Sequence, residues 1–272
     1  MMQNGSVVMV RDLLVKYGDR VILDGVNFDI RRGEVLVLLG ASGSGKSTLL
    51  RHLIGLEKPE SGSIIVNDVD IVRCSDAELN RVRQSIGVSF QNAALFSSMT
   101  VSQNVAFPLL ERTRLADSTI DEVVQLKLAQ VGLLHFGSFT PSQLSGGMLK
   151  RAAVARATAL DPEILFFDEP SADLDPITAA GIDDLVLYLK NALQMTVLVV
   201  THELHSAFQI ADRLAFLKDR KLVAIGSRDA IAHSADPWVR QFLDRVPDRK
   251  SNDQTELLHQ LAERLGVKCP KK

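Results

Sequence analysis

A glycine-rich segment between an apolar run and a leucine-rich stretch restricts the fold of this chain more than any other feature. Residues 40–47 read Gly-Ala-Ser-Gly-Ser-Gly-Lys-Ser and directly follow the apolar run 35–39. Glycines allow the backbone to curl so that successive N–H groups point inward at an anion. The leucine spacing in 48–56 indicates a helix, whose N-terminus adds the positive end of its dipole. The segment therefore predicts a phosphate-binding loop between a strand and a helix of an α/β protein.

The spacing of this loop assigns its side chains to parts of a nucleotide, which we expect to be ATP. Lys46 is placed to reach the β- and γ-phosphates, and the Ser47 hydroxyl is placed to ligate Mg²⁺. Thr48 is placed to contact the α-phosphate. The residues of the loop that are expected to bind the nucleotide are Gly40, Ser42, Gly43, Ser44, Gly45, Lys46, Ser47 and Thr48.

Two adjacent carboxylates follow a second apolar run. Residues 164–167 are Ile-Leu-Phe-Phe, and Asp168 and Glu169 come next. Ligands of open α/β sheets bind in the crevice beyond the carboxyl ends of the strands. We therefore expect Asp168 to hold Mg²⁺ through water and Glu169 to polarise the attacking water as a general base. The alternative is an acid pair that only caps a helix or faces solvent.

The composition excludes several classes of protein. Apolar residues make up 46% and charged residues 24% of the 272 positions, which excludes a disordered, collagen-like or coiled-coil chain. The net charge of −2 lacks the basic excess of nucleic-acid binders, so no nucleic acid is expected as a partner. The apolar runs span four to five residues, whereas a membrane-spanning helix needs about 20. No secretory signal is evident, and Cys74 and Cys269 form no disulfide or zinc framework, so we expect a cytosolic protein.

The order of strand and helix patterns predicts how the chain is organised. Strand patterns fill 7–39 and return at 164–201, whereas helical patterns occupy about 91–160. This predicts an α/β fold with a P-loop NTPase (RecA-like) core, an N-terminal β-subdomain and an inserted helical subdomain. We place this domain at 1–245 and assign 246–272 to a C-terminal linker and amphipathic helix.

The segment Leu144-Ser145-Gly146-Gly147 narrows the class of P-loop protein. Together with Lys46, Asp168 and His202 in this order, it makes residues 7–245 resemble the ATPase subunit of ABC transporters. The resemblance implies that a signature segment at 144–148 binds the γ-phosphate held by a second copy of the chain, mainly through Ser145 and Gly147. Two copies arranged head to tail then enclose two ATP molecules. The residues of this signature are Leu144, Ser145, Gly146, Gly147 and Met148.

The resemblance also implies roles for single side chains elsewhere. It implies that Tyr17 stacks on adenine, that Asp175 couples the two sites across the dimer, and that Gln91 senses Mg²⁺ and the lytic water. It further implies that His202 contacts the γ-phosphate and orients Glu169. The implied catalytic residues are Glu169, His202 and Gln91. The implied Mg²⁺ ligands are Ser47, Gln91 and Asp168. Three of these residues have a structural alternative, which is turn packing for Tyr17, a loop amide for Gln91 and a strand cap for His202.

Four shorter segments favour one branch of the ABC family. The sequences FQNAALFSSMTV, NVAFPL, LSGGM and DPIT together resemble the ATPase of the Mla-type, Mce-associated phospholipid transport system. Met148 stands where most importers and exporters have glutamine, and Asp173 stands where glycine is common in this group. The resemblance implies two inner-membrane permease subunits, an MCE lipid-binding protein and a STAS-domain regulator. It also implies a position on the cytoplasmic face of the inner membrane.

Two other functions stay open from the sequence. One is the ATPase of an ABC importer for another small substrate, which would favour LSGGQ and DEPTSALD. The other is a soluble ABC ATPase of iron–sulfur assembly.

Two apolar surfaces are expected to meet partners. The first, formed by Ala94, Leu95, Phe96 and Met99, is expected to receive a cytoplasmic permease helix, with core packing as an equal alternative. The second is a leucine stripe in the tail, expected to contact the sister subunit or a regulator, with packing on the chain's own core and lipid as alternatives. The residues of the stripe are Leu257, Leu258, Leu261 and Leu265.

Overall fold

The computed structural model describes residues 5–247 and Arg264, and the chain divides into two compact units, 1–231 and 232–272. The strands, in chain order, are β1 (Ser6–Tyr17), β2 (Arg20–Arg31), β3 (Val35–Leu39), β4 (Ser61–Val66), β5 (Val69–Asp70), β6 (Ile86–Ser89), β7 (Ile164–Asp168), β8 (Thr196–Val200), β9 (Arg213–Lys218) and β10 (Lys221–Ser227). The helices are α1 (Lys46–Leu53), α2 (Asp76–Gln84), α3 (Val101–Arg112), α4 (Asp117–Gln130), α5 (Gly146–Ala157), α6 (Pro176–Leu193), α7 (Leu204–Ile210), α8 (Arg228–Ala232) and α9 (Pro237–Leu243). This mixed α/β architecture confirms the predicted fold class. Within residues 5–247, no helix combines the length and apolar character needed to cross a bilayer.

A six-stranded sheet determines where the functional residues lie. Its order is β10-β9-β3-β8-β7-β6, with β9 and β10 antiparallel and the other neighbours parallel. Strands β3 and β8 are buried at every position, as expected for aliphatic strands covered on both faces. Because β3, β6, β7 and β8 are parallel, their carboxyl ends meet at one edge. The loops that leave this edge begin at Gly40, Phe90, Glu169 and Thr201.

The N-terminal part is an antiparallel sheet with the order β2-β1-β4-β5. Strands β1 and β2 form a hairpin that pairs Tyr17 with Arg20 at its turn. The apolar side chains of this sheet share one core with α1 and the central sheet, as Leu13, Leu50 and Phe166 illustrate. The core thus fixes α1, and with it the phosphate-binding loop, between the two sheets.

Three consecutive helices, α3 to α5, lie between β6 and β7, where the sequence predicts a helical insertion. Helix α3 begins with a capping box of Thr100 and Gln103, whose reciprocal bonds satisfy N–H groups that a helix start leaves unpaired. Lys127 of α4 is 2% exposed and pairs with Asp161, in the loop that leads into β7. This ion pair fastens the helical segment to the central sheet.

Candidate active site

The loop after β3 has the backbone geometry of a phosphate cradle. Gly43 (φ 76°) and Gly45 (φ 104°) adopt left-handed conformations that side-chain-bearing residues rarely reach. Helix α1 has no side-chain cap at Gly45, so the N–H groups of its first turn are open to an anion. The Ser44 hydroxyl is buried and has no hydrogen-bond partner among the described residues, which suits a donor that a phosphate oxygen would satisfy.

The Lys46 side chain is hydrogen-bonded to the backbone of the loop that contains it. Its buried Nζ donates to the carbonyl of Gly40 at 2.9 Å and to that of Ala41 at 3.2 Å. Burial lowers the pKa of Lys46, and the carboxylates of Glu169 and Asp168 oppose this shift. The ammonium is therefore held within the electrostatic reach of the acid pair, at the place where the β- and γ-phosphates are expected.

The acid pair lies at the carboxyl end of β7, as predicted. Asp168 Oδ1 accepts a hydrogen bond of 3.1 Å from the Ser47 hydroxyl, which brings the two expected Mg²⁺ ligands together. Burial raises the pKa of Asp168, and the Ser47 hydrogen bond opposes the rise. Glu169 follows with a left-handed backbone (φ 48°) and a side chain that is almost fully buried.

Two residues at the end of β8 hold the Glu169 carboxylate. His202 Nδ1 lies 2.9 Å from each carboxylate oxygen, so the predicted orienting contact is present in the structure. The buried Thr201 hydroxyl donates to Glu169 Oε2 at 3.1 Å. No motif in the sequence marks Thr201, although its position directly before His202 is a signal that could have identified it.

A cavity of about 480 Å³ joins the loop, Glu169 and Gln91. Its lining residues are Arg20, Ile22, Ser42, Gly43, Gly45, Lys46, Ser47, Thr48, Gln91, Glu169 and His202. Arg20 and Ile22 of β2 also line the cavity, although the sequence does not predict them as site residues. The volume falls within the range of small-molecule and cofactor sites.

Tyr17 lies outside this lining. It ends β1, is 47% exposed, and its hydroxyl hydrogen-bonds to Glu57. That hydrogen bond raises the pKa of the Tyr17 phenol. The stacking role of Tyr17 on adenine therefore stays a prediction.

The signature and Asp175 form a second cluster, which does not contribute to the lining of this cavity. Ser145 is the N-cap of α5, and its Oγ accepts a hydrogen bond of 3.3 Å from the Met148 N–H. A Cβ at Gly147 would clash with Thr178 Cγ2 of α6, so a residue without a side chain is needed there. Leu144 precedes this turn, and Gly146 begins the helix.

Asp175 caps the neighbouring helix α6. Its Oδ1 accepts hydrogen bonds of 3.0 Å from the N–H groups of Ile177 and Thr178, and the Thr178 hydroxyl bonds to Oδ2. The Thr178 hydrogen bond lowers the pKa of Asp175. Because Thr178 also contacts Gly147, it connects the signature to the predicted coupling residue Asp175.

Comparison with known proteins agrees with this arrangement. Residues 23–172 match the family model described as "ABC transporter". The chain is 42% identical over 245 residues to the intermembrane phospholipid transport system ATP-binding protein MlaF of Haemophilus influenzae, covering 90% of this chain and 93% of that protein. It is 43% identical to the probable ribonucleotide transport ATP-binding protein mkl of Mycobacterium leprae, covering 89% of this chain and 70% of that protein.

Among solved structures, the chain is similar to one chain of the ATP-binding cassette MJ0796, whose structure is a dimer in a post-hydrolysis state bound to ADP and Pi. The TM-score is 0.75 at 32% identity, and the match covers 81% of this chain and 98% of that one.

Proposed function

The chain belongs to the ABC transporter family, and on this premise we propose that it is the ATP-hydrolysing subunit of a system that moves phospholipid between membranes. The observation that carries the hydrolytic part is Glu169, held by Thr201 and His202 at the wall of the cavity that contains Lys46. The similarity to MlaF over nearly the full length of both chains carries the choice of phospholipid.

The geometry supports a simple hydrolytic step. Lys46 and the N-terminus of α1 bind the phosphates, and Glu169 polarises a water that attacks the γ-phosphorus. The bond from the γ-phosphorus to its bridging oxygen breaks, and the proton of the water passes to the Glu169 carboxylate. His202 and Thr201 keep that carboxylate facing the cavity.

The residues present also suit Mg²⁺. The Ser47 hydroxyl and the Asp168 carboxylate lie 3.1 Å apart, and the Gln91 amide lines the same cavity. These are the oxygen ligands that Mg²⁺ prefers, and the ion, when bound, neutralises charge on the phosphates. Ser47, Asp168 and Gln91 would hold it.

We further infer that a second copy completes the site. The signature at 144–148 does not line the cavity of its own chain, and the similar cassette MJ0796 was solved as a dimer. A head-to-tail pair would bring the start of α5 to the γ-phosphate held by the partner, where its dipole favours negative charge.

The segment at 94–99 supports docking of a permease helix. Phe96 is 43% exposed and Ala94 is also exposed, whereas Leu95 and Met99 are half-buried, so none of the four is a core residue. Asn104, which is fully buried, holds the segment by bonding to both the N–H and the carbonyl of Phe96. A rigid exposed aromatic suits an apolar anchor at an interface.

Replacing Phe96 with aspartate is expected to lower the amount of membrane protein that copurifies with the tagged chain about tenfold, a loss of about 1.4 kcal/mol of binding. ATP binding should stay unchanged. Leu126→Asp on α4 is the matched control, because Leu126 is 55% exposed in the same helical segment and outside 94–99. Equal loss of partners in both variants would exclude a specific role for Phe96.

We propose that this chain lies on the cytoplasmic face of the inner membrane, and that its remaining partners are two permease subunits in that membrane, an MCE lipid-binding protein and a STAS-domain regulator. The transport names of the relatives favour this over the soluble iron–sulfur-assembly alternative. The leucine stripe at 257–265 falls outside the described residues, apart from Arg264, and its contact with the sister subunit or regulator stays a prediction.

The substrate class is tested with the complex that copurifies with the chain, reconstituted into vesicles. Phospholipid is expected to move to acceptor vesicles only with hydrolysable ATP, measured by loss of fluorescence quenching of a labelled lipid. The similarity to mkl makes ribonucleotide transport the second candidate. Transport of radiolabelled ribonucleotide without lipid movement would decide in its favour.

A further inference from the structure

A buried lysine of α5 contacts the backbone of two catalytic loops. Lys150 is 9% exposed, and its Nζ donates to the carbonyl of Gln91 and, at 3.3 Å, to the carbonyl of Glu169. These carbonyls belong to the loops that leave the paired strands β6 and β7. One ammonium therefore joins the predicted sensor of the lytic water to the predicted general base.

Acidic neighbours offset part of the cost of burying this ammonium. A buried ammonium is costly unless it is hydrogen-bonded and close to opposite charge. The carboxylates of Asp173, Glu169 and Asp168 all attract Lys150. Asp173, which stands where glycine is common in this group, has a left-handed backbone (φ 66°), a conformation that favours glycine. Its carboxylate nevertheless contributes electrostatic attraction to the Lys150 ammonium.

Lys150 belongs to the same helix as the signature. It follows the N-cap Ser145 by five residues, a rise of about 7.5 Å along the axis. Because a single α-helix moves as a rigid element, a displacement of the start of α5 is transmitted to the Lys150 ammonium. The carbonyls of Gln91 and Glu169 then follow through their hydrogen bonds.

We propose that Lys150 is a positioning residue that couples the signature end of α5 to the placement of Gln91 and Glu169. Its Nζ bonds to backbone carbonyls and not to reacting atoms, so it acts on hydrolysis through the two loops. The proposal rests on the roles proposed above for Gln91, Glu169 and the signature. It explains how the hydrolytic residues of a chain can respond when the signature of that same chain contacts a partner.

Other anchors hold the remainder of the Gln91 loop, which makes the proposal testable. The Arg156 guanidinium donates to the carbonyls of Ala94 at 2.7 Å and Ala93 at 3.2 Å. Asn104 fixes Phe96 as described above. Removal of the Lys150 ammonium should therefore release the Gln91 end of the loop and leave its distal part in place.

The test compares Lys150→Met with Lys150→Arg in the full chain, purified with its membrane partners. Lys150→Met is expected to lower kcat for ATP hydrolysis at least tenfold while KM for ATP changes less than threefold. Lys150→Arg, which keeps a cation able to reach carbonyls, is expected to recover at least half of the wild-type kcat. Lys127→Met is the matched control. It removes another buried ammonium, which pairs with Asp161, so it should lower Tm and leave kcat within twofold of wild type.

Three results would overturn the proposal: a kcat of Lys150→Met within twofold of wild type, a failure of arginine to rescue, or a loss of kcat in Lys127→Met equal to that in Lys150→Met. If Lys150→Met aggregates, Lys150→Gln replaces it under the same thresholds. Glu169→Gln in the same assay distinguishes a failure of the proposed hydrolytic roles from a failure of the role proposed for Lys150. An active Glu169→Gln contradicts the proposed hydrolytic roles, whereas an inactive Glu169→Gln beside a fully active Lys150→Met contradicts only the role of Lys150.

Discussion

Replacing Glu169 with glutamine is expected to lower kcat for ATP hydrolysis by about 10²–10⁴-fold, because the variant keeps the size of the side chain but loses the proposed general base. The Thr201 hydroxyl can still donate to the amide oxygen, so the local structure should persist. ATP binding should therefore be retained, and closed dimers should accumulate with bound ATP. Phosphate release, a nucleotide-binding titration and size-exclusion chromatography measure the three quantities.

Glu163→Gln provides the matched control for this prediction. Glu163 precedes β7 at the opposite end of the same strand, and its side chain is 52% exposed in an ion pair with Arg32. An exposed ion pair contributes little to stability. This variant should hydrolyse ATP within twofold of wild type. Near-normal turnover of Glu169→Gln would remove Glu169 from the mechanism.

Replacing Ser145 with arginine is expected to abolish hydrolysis by an effect on the partner copy. Ser145 caps α5, and a bulky cation there would occupy the helix start that the γ-phosphate of the other chain is expected to meet. We expect a fall of about 10²-fold or more in kcat, comparable to the loss of a transition-state donor. The Ser145→Arg chain should still bind ATP through its own loop. Ser118→Arg, at an exposed serine in the first turn of α4, is the control and should stay active.

Mixed dimers give the decisive form of this experiment. A Lys46→Ala chain keeps its signature, and a Ser145→Arg chain keeps its phosphate-binding loop. One composite site in their heterodimer is therefore intact, and hydrolysis by the mixture should exceed that of either variant alone. A mixture as inactive as both parents, or a fully active Ser145→Arg homodimer, would falsify the head-to-tail arrangement.

The sequence predicts the strands of the central sheet well because each is a short, unbroken apolar run. Residues 35–39 form β3 with the predicted limits, and 164–167 form β7 with Asp168 added. Parallel strands then bring their carboxyl ends together, so the loop at Lys46, the acid pair and His202 could be placed at one edge without coordinates. The capping box of Ser75 and Glu78 at the start of α2 has an equally local signal, a serine followed three residues later by glutamate.

Contacts made across the fold escape such prediction. Helix α7 has seven residues and no side-chain cap, so its pattern is too short to recognise. Lys150 is a charged residue in a helical pattern, where a position facing solvent is the ordinary expectation. Its contacts with Gln91 and Glu169 arise only when α5 packs against the edge of the sheet. The left-handed backbone of Glu169 has no sequence signal of its own.

The cavity has a consequence for the folding equilibrium of the chain. Its walls come from β2, the loop and first turn at 42–48, Gln91, Glu169 and His202, which are far apart in sequence and adjacent only in the native state. An unfolded chain cannot offer such a surface, so nucleotide binds the native form alone. By linkage, ATP at a hundred times its Kd adds about 2.7 kcal/mol to the free energy of unfolding. The cellular nucleotide pool thus buffers this protein against destabilising substitutions anywhere in the sheet, and thermal stability measured without nucleotide understates what the working protein tolerates.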